Sequence, residues 1–400
     1  MDSSQRIRLR IVEKTSGRSA IRKSLTFAGT STERYSPFYI WGCSGFLLAL
    51  AVEIGLAIRL SLPLWVGVII VPAAVFIFLA LVMATKIVAG HELIIYYHHE
   101  IAVLSGVALF LRLLHQPVLP YLDITALGLG VFLACGRIGC LLVGCCHGRP
   151  FRWGITYREH HAVAGFTPYY VGIPLFPVQA LESLFVLGVV ALGARIVLHG
   201  GAPGSAFTWY VIAYGFARLC FEFLRGDPDR PYFLGFSEAQ WTSLALMSLT
   251  VSSEFSGALP WRALHVEITL VLVCLMAALS LHRRFRETPT HRLLHPHHVR
   301  EVALALEFTA SCPHTPQPQI RVGCTSLGVR ISAQGADLNS SVRYYALSRI
   351  APPLTPNAAA ILATTICRLR HPRGRFTLLR GNHDVFHCIL LRETVPNDGQ

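Results

Sequence analysis

Residues 63–88 read PLWVGVIIVPAAVFIFLALVMATKIV, and Lys86 is the one charged side chain among them. About 20 helical residues span the roughly 30 Å of a bilayer's hydrocarbon. In that medium every backbone N–H and C=O must be paired within the segment or in a closed barrel. The stretch shows no period-2 alternation, so a helix is expected. Similar runs lie at about 38–58, 100–116, 121–143, 174–198, 205–224 and 262–281. A weaker one at about 238–256 contains Glu254 and several Ser and Thr residues. The expected fold class is all-α, a polytopic transmembrane helical bundle of seven or eight spans. Composition agrees: of 400 residues 53% are hydrophobic and 14% charged, with mean hydropathy +0.49. A soluble chain carries roughly 25% charged residues, so an ordinary soluble enzyme is excluded.

Charge divides the chain into three parts. Residues 1–36 hold 8 Lys/Arg against 3 Asp/Glu, residues 37–281 hold 12 against 12, and residues 282–400 hold 15 against 7. The surplus therefore sits on two tails, where it suits an anionic cytoplasmic membrane face. A nucleic-acid partner is not expected. The tails give the division: a basic N-terminal tail (1–36), a transmembrane domain (37–281), and a basic, His-rich segment (282–400) expected to be a poorly structured tail or a small accessory piece. The first apolar run follows about 36 polar residues and is expected to remain as a span instead of leaving with a signal peptide. Eleven cysteines, several inside apolar runs, imply no disulfide framework.

Ionisable groups within the apolar body are expensive, at least about 2.5 kcal/mol at mid-bilayer, so each should face a cavity or a partner. They are His98, His99 and Glu100 at the head of the third span, Asp123 and Arg137 in the fourth, Glu182 in the fifth, and Arg218, Glu222 and Arg225 along the sixth. The last three fall at i, i+4 and i+7, on one helical face. A structural ion pair would account for Glu222 and one arginine. Two arginines there, with Arg137 from another span, leave positive charge that a phosphate could satisfy.

The fourth span ends in Gly136-Arg137-Ile138-Gly139-Cys140-Leu141-Leu142-Val143-Gly144-Cys145-Cys146-His147-Gly148. Such glycine density permits close approach of a backbone or ligand; a small-residue helix contact followed by a turn is the plainer explanation.

These residues resemble prolipoprotein diacylglyceryl transferase, over about residues 90–245. Gly136, Arg137, Gly139 and Gly148 keep the frame of the family signature Gly-Arg-x-Gly-Asn-Phe-x-Asn-x-Glu-x-x-Gly. Phe176-Pro177-Val178-Gln179-Ala180-Leu181-Glu182 is similar to its His-Pro-Ser-Gln-x-x-Glu box. Tyr214, Gly215, Arg218, Glu222, Arg225 and Asp229 follow its Tyr-Gly-x-x-Arg-x-x-x-Glu-x-x-Arg-x-x-Asp run, and Ser237 and Gln240 its Ser-x-Gly-Gln. The departures are Cys140 and Val143 for the signature's two asparagines, Cys145 for its glutamate, and Phe176 for the histidine of the Gln box.

The resemblance implies transfer of a diacylglyceryl group from phosphatidylglycerol to a lipoprotein-precursor cysteine in the bacterial cytoplasmic (inner) membrane, with no cofactor. It implies His98 or His99 as the base that ionises the thiol and Arg137 and Arg218 as holders of the leaving phosphate. Gly136, Gly139, Gln179, Glu182, Tyr214, Glu222 and Arg225 would form the rest of the substrate pocket. Two alternatives stay open. One is a paralogue that binds lipid or a partner without transfer. The other is a thiol-redox or metal-binding membrane protein using Cys140, Cys145, Cys146 and His147, whose spacing lacks the usual C-x-x-C.

Overall fold

A computed structural model describes residues 36–89, 96–228, 230–285, 290–310, 321–333, 342–372, 374–391. The N-terminal tail expected at 1–36 lies outside these residues apart from Ser36, as does Asp229. Residues Pro37–Gln400 form one compact unit. Its long helices are α1 (Pro37–Arg59), α2 (Leu64–Ala89), α3 (Tyr96–Leu113), α4 (Val118–Val143), α6 (Val178–Leu198), α7 (Ser205–Leu224), α8 (Glu238–Phe255) and α9 (Ala263–Phe285), with the short α5 (Glu159–Val163) between α4 and α6.

Five of them, over Pro37–Arg59, Leu64–Val88, Val118–Val143, Val178–Leu198 and Ala263–Arg283, are long and apolar enough to cross a membrane. Helices α3, α7 and α8 are less apolar because they turn Tyr97, Glu100, Tyr214, Arg218, Glu222 and Ser243 into the interior. The outer faces are greasy instead: Val68, Phe76, Ile87 and Leu184 are all more than 70% exposed. That inversion is expected where lipid, not water, is the solvent.

Helix α4 is the axis, packing against α1, α3, α6 and α7. Its small residues set the approach. A Cβ on Gly139 would lie 3.2 Å from the Phe38 Cα of α1, and one on Gly130 would lie 2.5 Å from Val190 Cγ2 of α6. At its head, the buried Asp123 accepts the backbone N–H groups of Gly204 and Phe207, both at 2.7 Å, and so caps α7 from a neighbouring helix.

Residues 282–400 correct the expectation of a poorly structured tail. Helices α10 (Thr290–Leu293), α11 (Pro296–Ala310) and α12 (Pro356–Arg370) accompany a five-stranded antiparallel sheet. Its strands are β5 (Val322–Cys324), β6 (Val329–Ala333), β7 (Val342–Arg349), β8 (Arg375–Arg380) and β9 (Phe386–Leu391), in the order β5-β6-β7-β9-β8. Alternation supplies the core: Val329 and Ile331, Tyr345 and Leu347, and Phe386, Cys388 and Leu390 are buried, and Leu306, Leu362 and Ile366 of the helices cover them. No run there is long enough to register as a span, yet short period-2 and period-3.6 patterns suffice for a small two-layer fold. Tyr157, Phe166, Tyr170, Ile173 and Leu175, from the connection between α4 and α6, belong to the same core. That connection also holds β1 (Pro150–Thr156) and β2 (Pro174–Leu175), and β3 (Tyr232–Phe233) and β4 (Phe236–Ser237) make the hairpin before α8.

Asp123→Ala leaves two buried donors at the start of α7 without acceptors, at a cost of about 2–3 kcal/mol. The expected outcome is a lower thermal midpoint of the detergent-solubilised protein, with Asp123→Asn, which keeps one acceptor oxygen, losing less.

Candidate functional site

The i, i+4, i+7 face of α7 meets α4 and α6 at a buried charge cluster. Arg218 reaches Glu222 at 2.7 Å, and Arg225, just past the end of α7, reaches the same Glu222 oxygen at 3.1 Å. Arg225 also pairs with Asp227 at 2.7 Å. Arg230 pairs with Glu222 and, at 3.2 Å, with Asp227. From α4, Arg137 Nε lies 2.9 Å from Glu182 Oε2 of α6, while Arg218 Nη1 lies 3.9 Å from Glu182 Oε1. Tyr214 donates its hydroxyl to Glu182 Oε1 at 3.0 Å. Glu182 thus stands between Arg137 and Arg218, and the two arginines predicted from separate spans flank one carboxylate.

Among the described residues four guanidinium groups face three carboxylates here, one positive charge more than the carboxylates balance. Arg218 Nη1 makes no hydrogen bond among the described residues although it is shielded from solvent. The arginines of the cluster line a cavity of about 1130 Å³. Phe46, Phe78, Leu79, Val82 and Leu133 give it apolar lining, and Arg137, Arg218, Glu222, Arg225 and Arg230 give it charged lining. The apolar lining suits hydrocarbon and the guanidinium groups an anion.

The two histidines separate. His98 lines the cavity and its Nε2 lies 2.8 Å from Glu238 Oε1. His99 is buried with its ring 4.5 Å from that of Phe78, and it is not part of the cavity lining. Tyr97, Tyr214 and Tyr210 stack in sequence at 5.7 and 5.8 Å, and Tyr97 also hydrogen-bonds Ser243.

The glycines divide as well. Gly136 lines the cavity and has open space where a Cβ would stand, whereas Gly139 is turned against α1 and packs helices. Gln179 does not face the arginines: its Nε2 donates to the Cys145 carbonyl at 2.8 Å. Ser237 and Gln240 form a reciprocal capping box at the start of α8, and Gln240 also donates to the Leu219 carbonyl.

Beyond α4 the chain turns through Gly144 at φ +86° and Cys146 at φ +54°. The turn folds Cys145 and Cys146 back over Cys140, so that the three sulfur atoms lie within 4.8 Å of one another. Hydrogen bonds from the Cys140 and Cys145 thiols, and then the guanidinium groups of Arg225 and Arg137, hold the Cys146 thiol well below the usual range against the opposing effect of burial. His147 does not join them. Its Nδ1 meets the Gly148 carbonyl at 2.9 Å and its ring packs edge-on against Tyr170 and Phe166. Burial lowers its pKa.

Sequence reasoning missed Arg230, Asp227, Tyr97 and Glu238 as members of the site. The run Arg225-Gly226-Asp227-Pro228-Asp229-Arg230 carried a signal in its two acidic residues flanked by two arginines. Nothing in the sequence shows that it folds back onto Glu222.

These features define a multi-pass α-helical membrane protein whose bundle encloses a cavity with apolar and cationic lining. Residues 65–253 match the sequence model of the family described as prolipoprotein diacylglyceryl transferase. The chain is 32% identical over 148 residues to a phosphatidylglycerol–prolipoprotein diacylglyceryl transferase of Dehalococcoides mccartyi, covering 36% of this chain and 54% of the relative. It is 33% identical over 132 residues to one of Clostridium tetani (32% and 51%), and 34% identical over 116 residues to transferase 2 of Clostridium perfringens (28% and 42%). The chain spans about half the length of the curated relatives it matches. No solved structure matches it.

Glu222→Ala removes the acceptor shared by Arg218, Arg225 and Arg230 and leaves buried charge uncompensated, at about 3–5 kcal/mol. A sharp fall in thermal midpoint and folded yield in detergent is expected. Alanine at the half-exposed Glu238 should change either by far less.

Proposed function

We propose that the protein transfers a diacylglyceryl group from phosphatidylglycerol to the thiol of a lipoprotein-precursor cysteine in the bacterial inner membrane. The observation that carries this reading is a single cavity lined by both apolar side chains and buried arginines. The names of the family and of the similar transferases support the same substrates. All eight long helices are read as crossing the bilayer, so that both basic tails face the cytoplasm.

The donor's acyl chains would lie along Phe46, Phe78 and Val82, and its phosphate would meet Arg137 and Arg218. Arginine suits the task because its planar fork matches phosphate oxygens and stays charged when buried. The free Nη1 of Arg218 is one available donor. His98, at the cavity wall and polarised by Glu238, would take the proton of the acceptor thiol. The resulting thiolate attacks the glyceryl carbon and the bond from that carbon to the phosphate oxygen breaks. A thioether forms, and glycerol phosphate leaves with the electron pair. Charge grows on the phosphate in the transition state, where prepositioned guanidinium groups act most strongly. Glu182 and Glu222 hold those groups in place, and Tyr214 steadies Glu182.

Arg137→Ala and Arg218→Ala should each lower transfer by about 10²–10³-fold while the protein stays in the membrane. The measurement is lipid transfer to a precursor peptide, with complementation of a strain lacking its diacylglyceryl transferase. Normal turnover in both variants would defeat the assignment, and bound phosphatidylglycerol without any transfer would reduce the reading to lipid binding.

A further inference from the structure

The three thiols of Cys140, Cys145 and Cys146 are used by none of the steps above, yet the fold goes to some length to gather them. Cys146 has a left-handed backbone, which costs a non-glycine residue about 1 kcal/mol or more and persists only where its surroundings impose it. Four contacts impose it here. Gly144 N–H donates to the Cys140 carbonyl at 2.9 Å, Gln179 Nε2 to the Cys145 carbonyl at 2.8 Å, Gly226 N–H to the His147 carbonyl at 2.9 Å, and Gly148 N–H to the Phe176 carbonyl at 3.1 Å. The turn is therefore held from both sides.

Three thiolates at about 2.3 Å from a zinc-like ion would stand about 3.8 Å apart. The sulfur atoms already lie within 4.8 Å of one another, so rotation about the side-chain bonds closes the remaining gap. His147 is not among the groups that converge there: its Nδ1 meets the Gly148 carbonyl and its ring packs against Tyr170. Cys140 and Cys146 both line the cavity. A four-coordinate ion on these sulfurs would turn its remaining position toward the cavity, the arrangement of metal sites that bind a substrate and not of closed structural ones. Arg225 and Arg137 line the same cavity as Cys140 and Cys146, where positive charge would favour the net negative site that three thiolates leave on a divalent ion.

We propose that Cys140, Cys145 and Cys146 form a three-thiolate site for a thiophilic divalent cation of the zinc class, with its open fourth position facing the cavity and able to take the acceptor thiol. The site stands on the geometry alone; the acceptor's role rests on the transferase reading. A thiol entering that position gives its proton to His98, which lines the same cavity, and binds as thiolate. Arg137, Arg218, Cys140 and Cys146 line the same cavity, and the bound sulfur would have to approach the glyceryl carbon opposite the leaving phosphate oxygen. The bonds made and broken are those already given: carbon–sulfur forms, carbon–oxygen breaks, and the electron pair departs with the phosphate.

The test uses the full chain, reduced and metal-free in detergent, titrated with Co²⁺ and then Zn²⁺. One equivalent of Co²⁺ should give sulfur-to-cobalt charge-transfer absorption that Zn²⁺ abolishes, and three thiols should become protected from alkylation. Cys140→Ser and Cys145→Ser should each weaken binding by at least about tenfold while matching the thermal midpoint of the metal-free wild type. A peptide with a single cysteine should raise the charge-transfer band by about a third, from three thiolates to four. Absence of stoichiometric metal, or serine variants that bind as well as wild type, would overturn the site. An unchanged band on adding the peptide would overturn the open position, and full transfer by metal-free protein would overturn the acceptor's role. If the cobalt and peptide responses hold but no lipid is ever transferred, the transferase reading fails and the metal site stands.

Discussion

Burying guanidinium and carboxylate groups among apolar helices is the constraint that orders this molecule. Each ion removed from water costs several kcal/mol, and attraction repays that only with close geometry and satisfied donors. No single pair here is complete. Glu222 serves Arg218, Arg225 and Arg230, and Glu182 serves Arg137 and lies near Arg218. The network therefore fixes α4, α6, α7 and the segment after α7 relative to one another. Because guanidinium groups outnumber carboxylates by one among the described residues, the same arrangement leaves attraction for an anion. Stability and binding draw on the same charges.

Helices α1 and α2 answer a different need. Their inward faces supply apolar walls from Phe46 to Val82, and their outward faces are as apolar, so hydrocarbon lies on both sides. Packing against α4 depends on small residues, and Gly139 shows the closeness involved. Such contacts suit a membrane, where association relies on van der Waals fit and not on the expulsion of water. A wall held by fit alone can part from its neighbour at less cost than one pinned by ions. An opening into the cavity is thus better sought along α1 and α2 than between α4 and α7.

Much of this was legible in the sequence because apolar length and 3.6-residue spacing are local properties. The run at 63–88, the shared face of Arg218, Glu222 and Arg225, and the glycines near Arg137 could all be read from neighbouring positions. Long-range consequences could not. His98 and His99 are adjacent, and only the rotation of α3 turns one toward the cavity and the other against Phe78. Gly136 and Gly139 differ likewise in the face they present. Arg230 enters the cluster through a turn, and the meeting of three thiols requires a left-handed Cys146 that spacing does not reveal. The C-terminal sheet escaped notice for another reason: strands of three to eight residues give weak patterns beside membrane helices, and the surplus of arginine drew the eye to solvation.

That sheet also bears on the site. Tyr170, one ring of the pair that confines His147, sits in the core formed by the C-terminal helices and strands, together with Phe166 and Leu175. Arg149 links the two sides again, donating to the Arg225 carbonyl at 3.3 Å and to the Leu294 carbonyl at 3.3 Å. Tyr232, close after Arg230, packs edge-on against His295. Both irregular segments that complete the cavity's polar lining, the cysteine turn and the stretch after Arg225, are thus braced by one extramembrane core. An interior assembled only from helices would leave those segments to hold their charged and thiol groups by backbone contacts alone. Bracing from outside makes the left-handed turn and the paired arginines tolerable, and ties the polar lining of the cavity to the folding of the C-terminal elements.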